Sequence, residues 1–315
     1  MTERKGMNSN GNDRNDAIIN SWMTTNVDFA IPSKERLTAL RDLWMSTTTS
    51  CYSLPVACSK EGGDEQQEEN DSQVESNSGA VTTTATPKVL SALERWWDRL
   101  EKLHCEPKRA YHTLVHLEEM VGYLRLFPQL DSPSIVLAIF FHDAIYDPTS
   151  GTNEEDSAKL FRTFHTELSE LTGRSTLDAN DNQGHPAENQ DHGGDGDGCW
   201  IKSVMDMILA TKSHQCPGTD DSSQELCLLL DFDMAVLGKE PDAYDGYAGL
   251  IRREYSFVDR STYCSKRADI LESFLQVPFI FGTDDIRSAL EDRARSNIQR
   301  EMESLRKGVI PGEIQ

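Results

Sequence analysis

The sequence predicts an all-α fold, and three observations carry that prediction. Apolar residues recur at helical spacing in one segment after another, while the alternating patterns of half-buried strands are nearly absent. The segments are bounded by residues that start and stop helices: Ser or Asn before, Pro at the first turn, Gly after. Between them lie polar tracts with too little to bury to hold structure of their own.

Residues 1–31, rich in Asn, Thr and Asp, read as a disordered tail, and residues 32–315 as a single helical domain. Ser33 caps a first helix with Leu37, Leu40, Leu43 and Trp44 on one stripe. From about 48 to 86 the pattern vanishes, and seven acidic residues between Glu61 and Glu75 mark a disordered insertion. Helix resumes near Val89, with Leu90, Leu93, Trp96, Trp97 and Leu100 on its apolar face. Next comes a Tyr111–His112 element followed by Leu117, Met120, Val121, Leu124 and Phe127. Ser132–Pro133 starts a helix that includes Ile135 to Phe141, the most apolar run in the chain, and delivers His142–Asp143. Asn153 is the expected cap of another, with Ala158, Phe161, Phe164, Leu168 and Leu171 inward and Gly173 as its stop.

A second polar insertion spans about 174–198. Its Asp/Gly run lacks the downstream glutamate of a calcium loop. Helices are then expected from Trp200 to Leu209, Leu226 to Leu237 with Gly238 as stop, Pro241 to Tyr255, Tyr263 to Gln276 and Asp284 to Arg306.

Composition sets outer bounds. With 31 Lys and Arg against 53 Asp and Glu, the net charge is −22. Duplex nucleic acid and anionic membranes both repel such a surface. Seven cysteines without a CxxC pair suit a reduced, cytoplasmic chain better than a disulfide framework. No stretch approaches membrane-spanning length, and no apolar segment follows Arg4 and Lys5 as a secretory signal would require.

The chemistry points to a metal. A carboxylate at the end of a buried helix is costly unless a charge partner neutralises it, and a divalent ion is the simplest partner for the adjacent His142 and Asp143. His112 and His116, four apart, share a face if both are helical. Asp231 and Asp233, two apart on one helix, cannot both face one site. Asp233 shares its stripe with Leu226, Leu229, Leu230 and Leu237 and is the better candidate ligand. The competing expectation pairs Asp233 with an arginine such as Arg252.

Taken together, the order His116, His142–Asp143, Asp233 on successive helices resembles the HD-domain superfamily, in particular its branch of predicted metal-dependent phosphohydrolases. The branch's running pattern is matched by Tyr111–His112-xxx-His116, Phe141 to Pro148, Asn153–Glu154–Glu155, Ile208 to Lys212, Asp231-x-Asp233-x-Ala235-x-Leu237–Gly238, Ile251 to Tyr255 and Arg293–Ala294–Arg295-x-Asn297. The match covers most of the chain outside the tail and the two insertions. One departure is Ser213, where the branch often has a second histidine before the position of His214; it bears on whether a second metal is held.

The resemblance implies a compact HD-like bundle in which His116, His142, Asp143 and Asp233 hold one divalent ion (Mn, Mg, Fe, Co, Ni or Zn), with His112 as a fifth ligand or an orienting neighbour. The ion would generate a hydroxide nucleophile and polarise the phosphoryl group of a nucleotide or other small phosphoester. Asp147 and Glu154 are then candidates to position water or move a proton, and Lys212, Arg252, Arg253 and Lys266 to bind phosphate, although a surface salt bridge is the commoner fate of such cations. Two alternatives stand beside it. A di-iron oxidoreductase would need further histidines such as His165 or His214, and a non-catalytic nucleotide-binding or scaffold protein would keep only the fold.

Overall fold

The computed structural model describes residues 33–55, 83–128, 132–174, 197–216 and 224–313. The tail and the interiors of both insertions lie outside them. Among the described residues are ten α-helices: α1 (Lys34–Tyr52), α2 (Pro87–His104), α3 (Leu114–Leu124), α4 (Pro133–Phe141), α5 (Asn153–Thr172), α6 (Asp197–Ala210), α7 (Gln224–Met234), α8 (Pro241–Glu254), α9 (Arg260–Gln276) and α10 (Asp284–Leu305). A short 3₁₀ turn, Ala235–Gly238, continues α7. The all-α expectation holds; the one ladder pairs Leu54–Pro55 with Thr83–Thr84 where the first insertion leaves and returns.

Local chemistry sets most helix boundaries. Ser33, Thr86 and Ser132 each accept a backbone N–H of the first turn, satisfying a donor that has no partner within the helix. Gly173 ends α5 at φ 67°, a left-handed conformation that costs a glycine little. Two boundaries depart from the sequence reading. Helix α1 runs past residue 48 to Tyr52, because Thr48 turns its hydroxyl back onto the Trp44 carbonyl and the Tyr52 ring finds Phe164 and Trp200. Asn153 is not a cap: its side-chain amide brackets the Asp147 peptide, accepting its N–H and donating to its carbonyl.

Helix α4 is the axis of the core. From Ser134 to Phe141 every residue is buried, which explains why its pattern is continuous rather than striped. Around it α1, α2 and α5 interlock through aromatic rings. Trp44 lies 5.5 Å from Phe140 and 5.3 Å from Phe164, and its indole N–H donates to the Leu93 carbonyl. Trp96 meets Phe164 edge-on at 5.4 Å, an arrangement the ring quadrupoles favour.

The C-terminal half is held by buried charge. Segment 280–283 exposes four consecutive backbone N–H groups, and two carboxylates take them all. Glu291 accepts from Ile280 and Phe281, and Asp231 from Gly282 and Thr283. Arg267 pairs with Glu301, which also accepts the Tyr244 hydroxyl. Lys239 pairs with Glu119, both nearly sealed from solvent. No helix among the described residues is long and apolar enough to cross a membrane.

The expectation of unpaired cysteines is corrected: Cys216 and Cys227 form a disulfide, their Cα atoms 5.1 Å apart. Spacing did not reveal the pair, since 11 positions separate the two. They meet because Cys216, just past the end of α6, lies against Cys227 in the first turn of α7.

Trp44 is fully buried and touches three other elements. Trp44→Ala is therefore expected to cost about 3–5 kcal/mol. Urea denaturation should show a lower midpoint at an unchanged slope.

Candidate metal centre

Three side chains from three helices converge. His116 comes from the first turn of α3, His142 follows the last turn of α4, and Asp233 lies near the end of α7. One ligand atom from each falls within 4.8 Å of the others. The two imidazole Nε2 atoms are 3.3 Å apart, and Asp233 Oδ1 lies 3.0 Å from that of His116 and 3.9 Å from that of His142. Both histidines are 1 % exposed.

The donor set fits a divalent ion. The Ile139 carbonyl, 2.9 Å from His142 Nδ1, can only accept, so Nδ1 carries a proton and Nε2 faces the cluster, where a cation would take the place of its proton. Asp143 Oδ2 stands 3.1 Å from the same Nε2. Burial disfavours charge on His142, yet Asp143 and Asp233 outweigh it and push its pKa up to about 9. Where buried groups draw a proton so strongly, negative potential is in surplus, which a cation offsets. His116 Nδ1, buried without a hydrogen-bond partner, is the one ring nitrogen of the trio left unsatisfied.

The carboxylates respond accordingly. Burial would raise the pKa of both, but His142 and His112 hold Asp143 well below the usual carboxylate range. Hydrogen bonds from His116 and His214 do the same for Asp233.

His112 stands apart from the trio. It precedes α3, so the helical i,i+4 pairing with His116 does not form. Instead its Nδ1 lies 2.6 Å from Glu254 Oε2, and its ring stacks on Tyr146 at 4.2 Å. His112 is not one of the three residues whose ligand atoms converge, and its bond to Glu254 fixes the orientation of its ring. Glu254 was not singled out from sequence, and it organises this side of the cluster. One oxygen accepts the N–H groups of Ala110, Tyr111 and His112, and the other accepts His112 Nδ1–H and the Tyr146 hydroxyl. Burial would raise its pKa, but His112 and these hydrogen bonds hold it at about 2. Arg109 completes the clamp, donating to the carbonyls of His112, Asp143 and Ala144.

His214 also reaches the cluster, its Nε2 3.0 Å from Asp233 Oδ2. It is the only non-glycine residue with positive φ among those described, at 50°, a conformation that costs ~1–2 kcal/mol and persists where the surroundings over-determine it. The other candidate histidine, His165, is elsewhere, bonded to the Tyr52 hydroxyl and to Ser169. His185 and His192 lie outside the described residues.

Most of the remaining candidates are engaged locally. Asp147 accepts the Thr149 N–H and hydroxyl within its own turn. Lys212 donates to the Gly151 carbonyl and Glu155 and stands 3.8 Å from Glu154. Arg252 does not meet Asp233. It donates to the Tyr255 and Val258 carbonyls, lies 3.5 Å from Glu313, and stacks over Tyr263. Arg253 and Lys266 are exposed. Asp231, two residues before Asp233, turns to the N-terminus of α10, and burial raises its pKa to about 6 despite the donors from Thr283 and Gly282.

No protein-family model, curated protein or solved structure matches the chain.

Two outcomes follow from this geometry. Asp233→Ala should lose most bound metal, whereas Asp231→Ala should keep it and lose about 1–3 kcal/mol of stability through the unpaired N–H groups of residues 282 and 283; elemental analysis and denaturation on the same samples separate the two. For Glu254, the folded-state pKa of about 2 lies below the ordinary 4.5, so ionisation favours folding by roughly 3 kcal/mol. Glu254→Gln should forfeit that margin above about pH 4.5, and the difference from wild type should shrink as pH falls toward 2. Denaturation midpoints across that range measure it.

Proposed function

We propose that this chain is a metal-dependent phosphohydrolase acting on a nucleotide or other small phosphoester. The observation that carries the reading is the buried convergence of His116, His142 and Asp233 from three helices, in the order shared with the HD-domain superfamily. These three would hold the ion, with Asp143 beside them. A bound divalent ion supplies a Lewis acid for a phosphoryl oxygen and acidifies water.

The chain's own residues supply the rest. The Ile139 carbonyl holds His142 in a single tautomer. Asp143, held ionised by its imidazole neighbours, would offset cationic charge and accept a hydrogen bond from bound water. Glu254 fixes His112 through Nδ1, which leaves Nε2 to donate to, or accept from, a substrate oxygen. Apolar walls from α4 limit water around the ligands, so charge interactions there are stronger than at the surface.

A second reading, a di-iron oxidoreductase, gains one observation: His214 contacts Asp233. His165, the other histidine considered for it, bonds to the Tyr52 hydroxyl and Ser169 instead. Iron content separates the two readings, with two irons per chain favouring the oxidoreductase.

The deciding experiment compares wild type with Asp143→Asn on a panel of nucleotides and generic phosphoesters. An amide preserves shape and hydrogen bonding while removing the charge opposite the ion. The variant should keep its helical circular dichroism, lose metal by more than the ~10–100-fold typical of outer neighbours, and lose activity. Full metal and full activity in Asp143→Asn would exclude this residue from the site, and a wild type inert on the whole panel would exclude phosphohydrolysis.

A further inference from the structure

The disulfide lies close to the cluster in the chain at both of its ends. Cys216 follows His214 by two residues, and Cys227 sits on α7, the helix that also carries Asp233. The bridge therefore ties the segment that presents His214 to the helix that presents its partner. Packing beneath it is tight: a Cβ added at Gly282 would come within 2.9 Å of Cys216 Cβ and 3.4 Å of Cys227 Cβ. Segment 280–283 is itself pinned by Asp231 and Glu291. His214 holds an unfavourable backbone conformation while its side chain bonds to Asp233. The helix-end bond from His214 N–H to the Ala210 carbonyl holds this conformation locally, and the disulfide is the covalent constraint at hand.

We propose that the Cys216–Cys227 disulfide is a redox latch on the metal cluster. Oxidised, it holds His214 against Asp233. Reduced by a dithiol, it frees His214 and loosens the grip of Asp233 on its ion. Cys216 is the more exposed of the two residues, so a dithiol thiolate attacks there. The S–S bond breaks, Cys227 leaves as thiolate and takes up a proton, and a mixed disulfide forms on Cys216. The second thiol of the dithiol then displaces Cys216, which is also protonated. Two electrons and two protons have passed to the protein, and the dithiol ends as a disulfide. Both cysteines are thiols.

The proposal rests on reading the cluster as a metal site and is independent of the reaction catalysed there. The full chain is titrated calorimetrically with Co(II) in two states: oxidised, and reduced with dithiothreitol that is then removed without air. Reduction should weaken Co(II) binding by ~10-fold or more, the scale on which outer supports of a metal site act. Reoxidation should restore it. The Cys216→Ser/Cys227→Ser double variant should bind at the reduced value under both conditions, and His214→Ala should bind equally in both. A second readout needs no metal. Diethyl pyrocarbonate labelling mapped by mass spectrometry should modify His214 faster after reduction, while His165, bonded to Tyr52 and Ser169, keeps its rate. Equal labelling of His214 in the two states, or free thiols at both positions in an oxidising glutathione buffer, would overturn the latch. Co(II) binding in neither state would instead overturn the metal reading, and the labelling result alone would then decide the latch.

Discussion

The candidate centre depends on one buried carboxylate. Glu254 sits at the last position of α8 and accepts five hydrogen bonds from the loop before α3 and from the turn after α4. A carboxylate sealed from water is unfavourable unless its lone pairs are filled, and here each donor that fills them belongs to a backbone or ring that borders the cluster. Arg109 works from the opposite sign, binding three carbonyls of the same two turns. Between them an anion and a cation satisfy the polar groups that the ends of α3 and α4 would otherwise leave open. The turns are thereby held where His116 and His142 can meet.

A similar economy separates two aspartates two residues apart. Asp233 and Asp231 leave opposite faces of α7, one toward His116 and His214, the other toward the first turn of α10. Their pKa values move in opposite directions because burial is outweighed at Asp233 but not at Asp231. Hydrogen bonds from His116 and His214 and the nearby His142 favour ionised Asp233, whereas the bonds from Thr283 and Gly282 and the nearby Arg287 leave the desolvation of Asp231 only partly compensated. The same helix thus contributes a candidate ligand and a brace.

Helix α4 links core to chemistry. Because every residue from Ser134 to Phe141 is buried, neither His142 nor Asp143 can shift without disturbing the aromatic contacts of Trp44, Trp97 and Phe164 with the end of the helix. Close-packed interiors resist such shifts. That rigidity suits candidate ligands that would have to keep a fixed separation.

Much of the fold was legible in the sequence by itself. Helical spacing and the caps at Ser33 and Ser132 located the helices, and the continuous apolar run marked α4 as the buried axis. For the cluster, the leucine stripe singled out Asp233 over Asp231, because a lone carboxylate on an apolar face needs a partner wherever it ends up. By the same criterion Glu254 could have been found, since it lies on the face of Tyr247 and Ile251. What only tertiary structure decided were partners drawn from distant segments. His112 bonds to Glu254 across 142 positions, and Arg252 turns to local carbonyls rather than to Asp233. His214 reaches Asp233 through a backbone bend, and Cys216 finds Cys227 without a spacing signal. Helix periodicity reports which face of an element is buried; it carries no information about which other element will be packed against that face.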